Sequence, residues 1–239
     1  MSMKLSHTTR NILKNFSEFN NSIYIGRGNI ISNISPTNSI VAAAKVHEQF
    51  PDSMALYDIK QFLTCLDIFS DFDLEFENPK YVTIKSDRTQ IRYFYADEHM
   101  IAKAPSMDVA DKVLEDHFTF KLSYDVLKSL IKASNILTLP DMCLESSGGD
   151  VQIVVKDRDN SSSNSISYIV GESETPFSYR FKMENIVIIP GNYTVTICKT
   201  RKDGTFKAAK FCFNDKTNYE LQYLIALEPK SWYGQEPES

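Results

Sequence analysis

The sequence predicts an α+β protein of two similar halves in which strands outnumber helices. Three observations point there. The motif Lys-Leu-Ser occurs at 4–6 and again at 121–123, an offset of 117 in a chain of 239 residues. Each copy opens a segment with apolar residues at helical spacing. Each is then followed by short alternating or apolar runs of strand length.

In the first half, "KLSHTTRNILKNFSEFN" (4–20) places Ile12, Leu13, Phe16 and Phe19 on one side, with His7, Arg10 and Lys14 across from them. The runs "SIYIG", "NIISNI" and "SIVAAAKV" read as strands. A second helical pattern, "YDIKQFLTCLDIFSD" (57–71), turns Ile59, Phe62, Leu63, Leu66 and Phe69 inward and Lys60 outward. Four further strands are expected at "FDLEFE", "YVTIKS", "QIRYFYA" and "HMIAKA".

The second half opens on "KLSYDVLKSLIKASN" (121–135), with Val126, Leu127, Leu130 and Ala133 on one side and Ile131 at its margin. Ser123 reads as the N-cap, since its hydroxyl can accept a free N–H of the first turn. Lys128 and Lys132 lie opposite the apolar side. Lys121 joins them only if the helix reaches back past Ser123. Aligned at the offset, Leu13 meets Leu130 and Ser17 meets Ser134. Strands follow at "MCLES", "VQIVVKD", "SISYIV", "FSYRF", "IVII", "YTVTICK", "FKAAKFCF" and "YELQYLIAL", with a brief helical chance at "KMEN". Pro190-Gly191-Asn192 reads as a tight turn with glycine at φ > 0, and Asp203-Gly204 as a hairpin. Domains are expected at 1–104 and 118–239. The acidic, proline-bearing connector is 105–117, within the stretch 97–118.

Composition narrows the function. With 42% hydrophobic and 24% charged residues the chain is an ordinary globular one. It has no run long and apolar enough to span a bilayer and no signal-peptide core, so a cytoplasmic protein is expected. Four separated cysteines and four scattered histidines give no metal knuckle or disulfide framework. "GRGN" (26–29) is a turn, lacking the third glycine of a dinucleotide fingerprint and the Gly-Lys-Ser/Thr of a phosphate loop. The acids of "DFDLEFE" (71–77) alternate with Phe72, Leu74 and Phe76, which makes them the wet face of a strand. No catalytic residues, cofactor or metal site are expected. The loop "DRDNSSSNS" (157–165) should be mobile, and its Asn160-Ser161-Ser162 matches a glycosylation sequon that means little without secretion. Lys199, Arg201, Lys202, Lys207 and Lys210 around a hairpin read as a solvated tip, with an additional contact to a nucleic acid as the alternative.

Charge distribution says more than the total. Residues 4–16 carry a formal +3 and 121–139 carry +2, leaving −10 on the rest of a chain whose total is −5. Cations gathered on helices of an otherwise acidic protein suit a local contact with phosphates.

The stretches "KLSHTTRNILKNF", "ALYDIKQFLTCLDIFSD", "IIPGNYTVTICK", "AAKFCF" and "YLIALE" resemble the DNA polymerase sliding clamp of T-even-type tailed phages. "IIPGNY" and "LYDIKQFL" are the most specific. The likeness runs from about Met3 to Glu228, departing at 140–180 and after Leu227. It implies two clamp domains per subunit and a homotrimeric ring, with helices lining a central hole backed by antiparallel sheets. The implied activity is non-enzymatic: sequence-independent encirclement of double-stranded DNA, tethering the phage DNA polymerase after opening by a clamp loader, in the host cytoplasm. Some related clamps also tether RNA polymerase-associated factors. Arg10, Lys14, Lys60, Lys128 and Lys132 are then the expected DNA-facing residues, with His7, Lys121 and Lys182 behind them. Ring closure would pair the strand near 99–104 of one subunit with that near 165–170 of the next. The alternative readings are a ring-forming phage structural protein and a nuclease or hydrolase, the last needing pocketed carboxylates or histidines.

Overall fold

The computed structural model describes residues 1–160, 162–214 and 219–235. The chain forms two compact units, Met1–Ser106 with Thr217–Leu221, and Met107–Lys216 with Gln222–Ser239.

Unit 1 runs β1 (Ser2–Met3), α1 (His7–Phe19), β2 (Ile23–Ile25), β3 (Gly28–Ile34), β4 (Ile40–Phe50), β5 (Met54–Leu56), α2 (Ile59–Leu66), β6 (Asp73–Asn78), β7 (Tyr81–Ser86) and β8 (Thr89–Phe94). A four-stranded antiparallel sheet has the order β1-β6-β7-β8, while β3 pairs with β4 and β2 with β5. The helices close one core: Ile12, Leu13, Phe16 and Leu66 are wholly buried, and Phe62 is 1% exposed. Phe69 lies past the end of α2, which stops at Leu66 and is capped by Asp67. Each such side chain removed from water contributes about 1.5–3 kcal/mol, so these few residues hold both helices down.

Unit 2 runs α3 (Met107–Val113), β9 (Leu114–Leu122), α4 (Tyr124–Leu137), β10 (Asp141–Ser146), β11 (Gly149–Lys156), β12 (Ser165–Ser173), β13 (Phe177–Lys182), β14 (Tyr193–Thr200), β15 (Phe206–Phe213), β16 (Glu220–Ala226) and β17 (Trp232–Tyr233). One sheet is ordered β12-β11-β10-β13-β17, and β9, β14, β15 and β16 pair antiparallel in that order. α4 packs on β11 and β12. The connector 105–117 is thus mostly α3 and the first residues of β9.

The repeat read from the sequence has a physical content. Of the five identities at the 117 offset, Leu5 and Leu122 are buried, Leu13 and Leu130 are wholly buried, and Ser17 and Ser134 are buried. Ser6 and Ser123 are both N-caps, accepting the N–H of Thr9 at 3.1 Å and of Val126 at 3.4 Å. These two serines and the Lys4–Lys121 pair are exposed.

Several expectations need correction. Residues 99–104 are not a strand. Asp97 accepts the N–H of His99 at 3.0 Å and winds Glu98–Met100 into a 3-10 turn, after which Ile101 tucks inward. Residues 186–189 are also not a strand: the Ile186 N–H closes the preceding turn on the Met183 carbonyl at 3.0 Å, and at Ile189 the N–H is taken by the Tyr223 hydroxyl at 3.1 Å and the carbonyl by Tyr193. "KMEN" is a 3-10 turn at Met183–Asn185, so α4 has no second helix like α2 beside it. Gly191 is not among the glycines at positive φ, whereas Gly204, at φ 70°, turns its hairpin as expected. On α4 the buried line is Leu127, Leu130 and Ser134, with Val126 and Ala133 only half-buried. The sequon at Asn160 includes Ser161, which lies outside the described residues. Around it, Ser163 donates its N–H to the Asn160 carbonyl at 3.0 Å and Ser162 donates its N–H to the Asn160 side chain at 3.1 Å.

The tail, unmatched in the sequence reading, has a place. Trp232–Tyr233 forms β17 on β13, and Tyr233 stacks into a cluster with Phe177, Phe206 and His117.

Candidate nucleic-acid interface

In unit 1, a carboxylate from β4 anchors the start of α1. Glu48 accepts the Ser6 N–H at 2.6 Å and the Thr9 hydroxyl at 2.7 Å. Burial alone would raise its pKa. The hydrogen bonds from Ser6 and Thr9 outweigh that and hold the carboxyl below its ordinary value. No sequence spacing pointed to this residue, because β4 runs past the expected 39–46 and brings Glu48 under the helix only in three dimensions.

The cations of this unit are largely neutralised. Arg10 is ion-paired with Asp67, the C-cap of α2, and its guanidinium lies 6.0 Å over the Phe72 ring. Lys60 lies 3.2 Å from Glu18. His7 shares a 3.1 Å contact with Asn11. Lys14 is exposed and, among the described residues, has no carboxylate partner.

In unit 2, the first N–H of α4, that of Tyr124, is taken by the Asn192 side chain at 2.9 Å. Lys128 holds its ammonium 5.5 Å from the Tyr124 ring, and Lys132 projects from the next turn. Neither has a carboxylate partner among the described residues. Lys121 is not on the helix. It belongs to β9, opposite Thr194, because Ser123 caps α4 after it. Lys182 ends β13 at 3.9 Å from Glu184. The structure therefore brings Arg10, Lys14 and Lys60 together on one helix pair and Lys128 with Lys132 on another helix. Lys121 and Lys182 stand on strands.

Among the other charged groups, Lys199 and Lys210 depart from the sequence expectation, Lys199 lying in β14 at 3.7 Å from Glu115. Glu75 and Asp73 are surface acids engaged by Lys85 and Ser2, as the alternation implied. Lys210 is not a solvated tip: it bridges Asp111 at 2.9 Å and Asp116 at 2.7 Å and is only 20% exposed. Among the described residues no cluster of histidine, cysteine and acidic side chains could hold a metal ion.

A family model described as gp45 sliding clamp, C terminal, matches residues 119–229. The chain is 31% identical to the sliding clamp of Vibrio phage KVP40 over 200 residues, covering 82% of this chain and 90% of that protein. It is 26% identical to the sliding clamp of Escherichia phage RB69, covering 96% and 98%. Among solved structures, A. fulgidus PCNA bound to the C-terminal region of FEN-1 shares the fold with a TM-score of 0.64 at 12% identity, covering 93% of this chain and 96% of that one.

Proposed function

Because the chain belongs to the sliding-clamp family of T4-type phages, we propose that three copies form a ring around duplex DNA and tether the phage DNA polymerase to its template. Clamp action itself is non-enzymatic and follows from the family. The observation that carries the DNA-facing assignment is that Lys128 and Lys132, on the outward side of α4, have no carboxylate partner among the described residues. Two ammonium groups without carboxylate partners are available to phosphates, whereas Arg10 and Lys60 must first give up Asp67 and Glu18. Lys14 likewise has no carboxylate partner among the described residues, with Lys121 and Lys182 in supporting positions. A closed ring is retained by topology, so a few weak contacts that carry no base information suffice and permit sliding.

Ring closure needs free strand edges. β8 is the outer strand of the unit 1 sheet and β12 that of a unit 2 sheet, each exposing a large apolar side chain, Phe94 and Ile169 respectively. β8 therefore takes the role expected of residues 99–104, and pairing with β12 of the next subunit would cover both edges. A clamp loader opens the ring, in the host cytoplasm. The polymerase and RNA polymerase-associated factors dock short apolar segments beside the connector; the C-terminal region of FEN-1 is bound to A. fulgidus PCNA, which shares the fold.

Sedimentation should report three copies, and the loaded protein should stay on circular DNA but run off linear DNA. A monomer at working concentration, or equal retention on both templates, overturns the reading and favours a structural ring component.

A further inference from the structure

The connector helix α3 has no buried residue. It is held on unit 2 by three contacts. Ala110 rests on a small apolar cluster of Leu114, Cys198 and Ala208, with Leu224 beside it. The Arg201 N–H donates to the Val113 carbonyl at 2.9 Å. Lys210, from β15, reaches Asp111 on α3 while also holding Asp116 on β9. Beneath this lysine, the Cys198 thiol lies 3.7 Å from Asp116 and is fully buried.

We infer that α3 is a hinged cover, latched by the Lys210–Asp111 ion pair, that closes over the Leu114–Cys198–Ala208 strip and lifts without unfolding the sheets beneath. Seven residues cannot sustain a helix alone in water, so α3 persists only through these contacts. Local opening draws on elements with few buried apolar groups, as α3 is. When it lifts, Lys210 keeps Asp116 and stays compensated. The cover's loss therefore leaves no bare buried charge. The use of this opening rests on the partner docking proposed above: a segment carrying a small apolar residue next to a carboxylate, the Ala110-Asp111 pattern, would replace α3 on the same strip.

Cys198 reports the opening directly, and Cys143 supplies the reference. Both are fully buried, and burial pushes both thiols up to about 11. Cys143 lies in β10, between β11 and β13 of the other sheet, and is not part of the cluster under α3, so lifting α3 leaves it covered. In the full chain carrying Cys65→Ser and Cys212→Ser, maleimide labelling in native buffer should modify Cys198 at least about tenfold faster than Cys143, since local opening requires less free energy than global unfolding. Lys210→Met should raise the Cys198 rate by roughly tenfold more, the scale of losing a half-buried charge pair, with Cys143 unchanged. Asp111→Asn, which leaves Lys210 on Asp116, should do the same in smaller measure if Lys210→Met folds poorly. Equal labelling of the two thiols, or equal acceleration of both by Asp111→Asn, overturns the cover. Because no polymerase or DNA is present, these outcomes stand apart from any failure of the partner-docking reading.

Discussion

α1 and α4 share their buried sides and differ on their exposed ones. Serine caps, wholly buried leucines and buried serines recur at a constant offset, but the cations do not. Lys128 and Lys132 align with Asn11 and Asn15, and Arg10 aligns with the core residue Leu127. An arginine standing where its counterpart is an interior leucine must have its charge compensated, and Asp67 supplies that. The difference teaches that packing is what the two helices share, while their exposed sides carry charge in different places and states of pairing.

The strongest test of the shared side is paired truncation. Leu13→Ala and Leu130→Ala should each cost about 3 kcal/mol in urea unfolding of their own unit, because both remove a wholly buried side chain. A tolerated change at one site would break the equivalence of the two cores.

The exposed sides are separated by salt dependence. Lys128→Gln with Lys132→Gln should reduce the slope of log affinity against log salt by about two, one per freed phosphate contact. Arg10→Gln with Lys60→Gln should change it by less than about one, because those cations are already paired. Reversing the charge, Lys128→Glu with Lys132→Glu, should shorten primer-extension products at moderate salt while sedimentation still reports the intact oligomer. Equal slopes from the two helix sets would erase the contrast.

Smaller effects sharpen the helix starts. Ser6→Ala and Ser123→Ala should each cost about 1 kcal/mol, the usual worth of an N-cap hydroxyl. The two starts should then part company in acid. Glu48, with its pKa depressed by the Ser6 and Thr9 hydrogen bonds, contributes stability that is present above its unfolded value and is lost as pH falls through the folded one. The start of α4 is held instead by the amide of Asn192, on the N–H of Tyr124 one residue past the cap, and an amide does not titrate. Acid titration below about pH 4.5 should therefore loosen α1 before α4, and Glu48→Gln should remove that acid dependence. Amide exchange resolved by helix would measure both.

Much of this was legible in one dimension. The start of α4 followed from Ser123, and most strands from alternation, because capping and burial on a single face leave local signatures. Residues 99–104 and 186–189 misled because their apolar content is real but their backbone groups are served elsewhere, by the Asp97 cap in one case and by tyrosine hydroxyls in the other. Candidate cations could be named from the wheel. Which of them were spent on Asp67, Glu18, Asp111 or Asp116 could not, since those partners come from other elements far along the chain.

Unit 1 includes Glu220 and Leu221, whose strand β16 continues directly into unit 2, and Lys45 on β4 reaches Glu220 at 3.1 Å. The first half therefore finishes assembling only after nearly the whole polypeptide has left the ribosome. Nascent chains stalled before residue 220 should stay protease-sensitive in both halves, and the domains should mature together rather than in the order of translation.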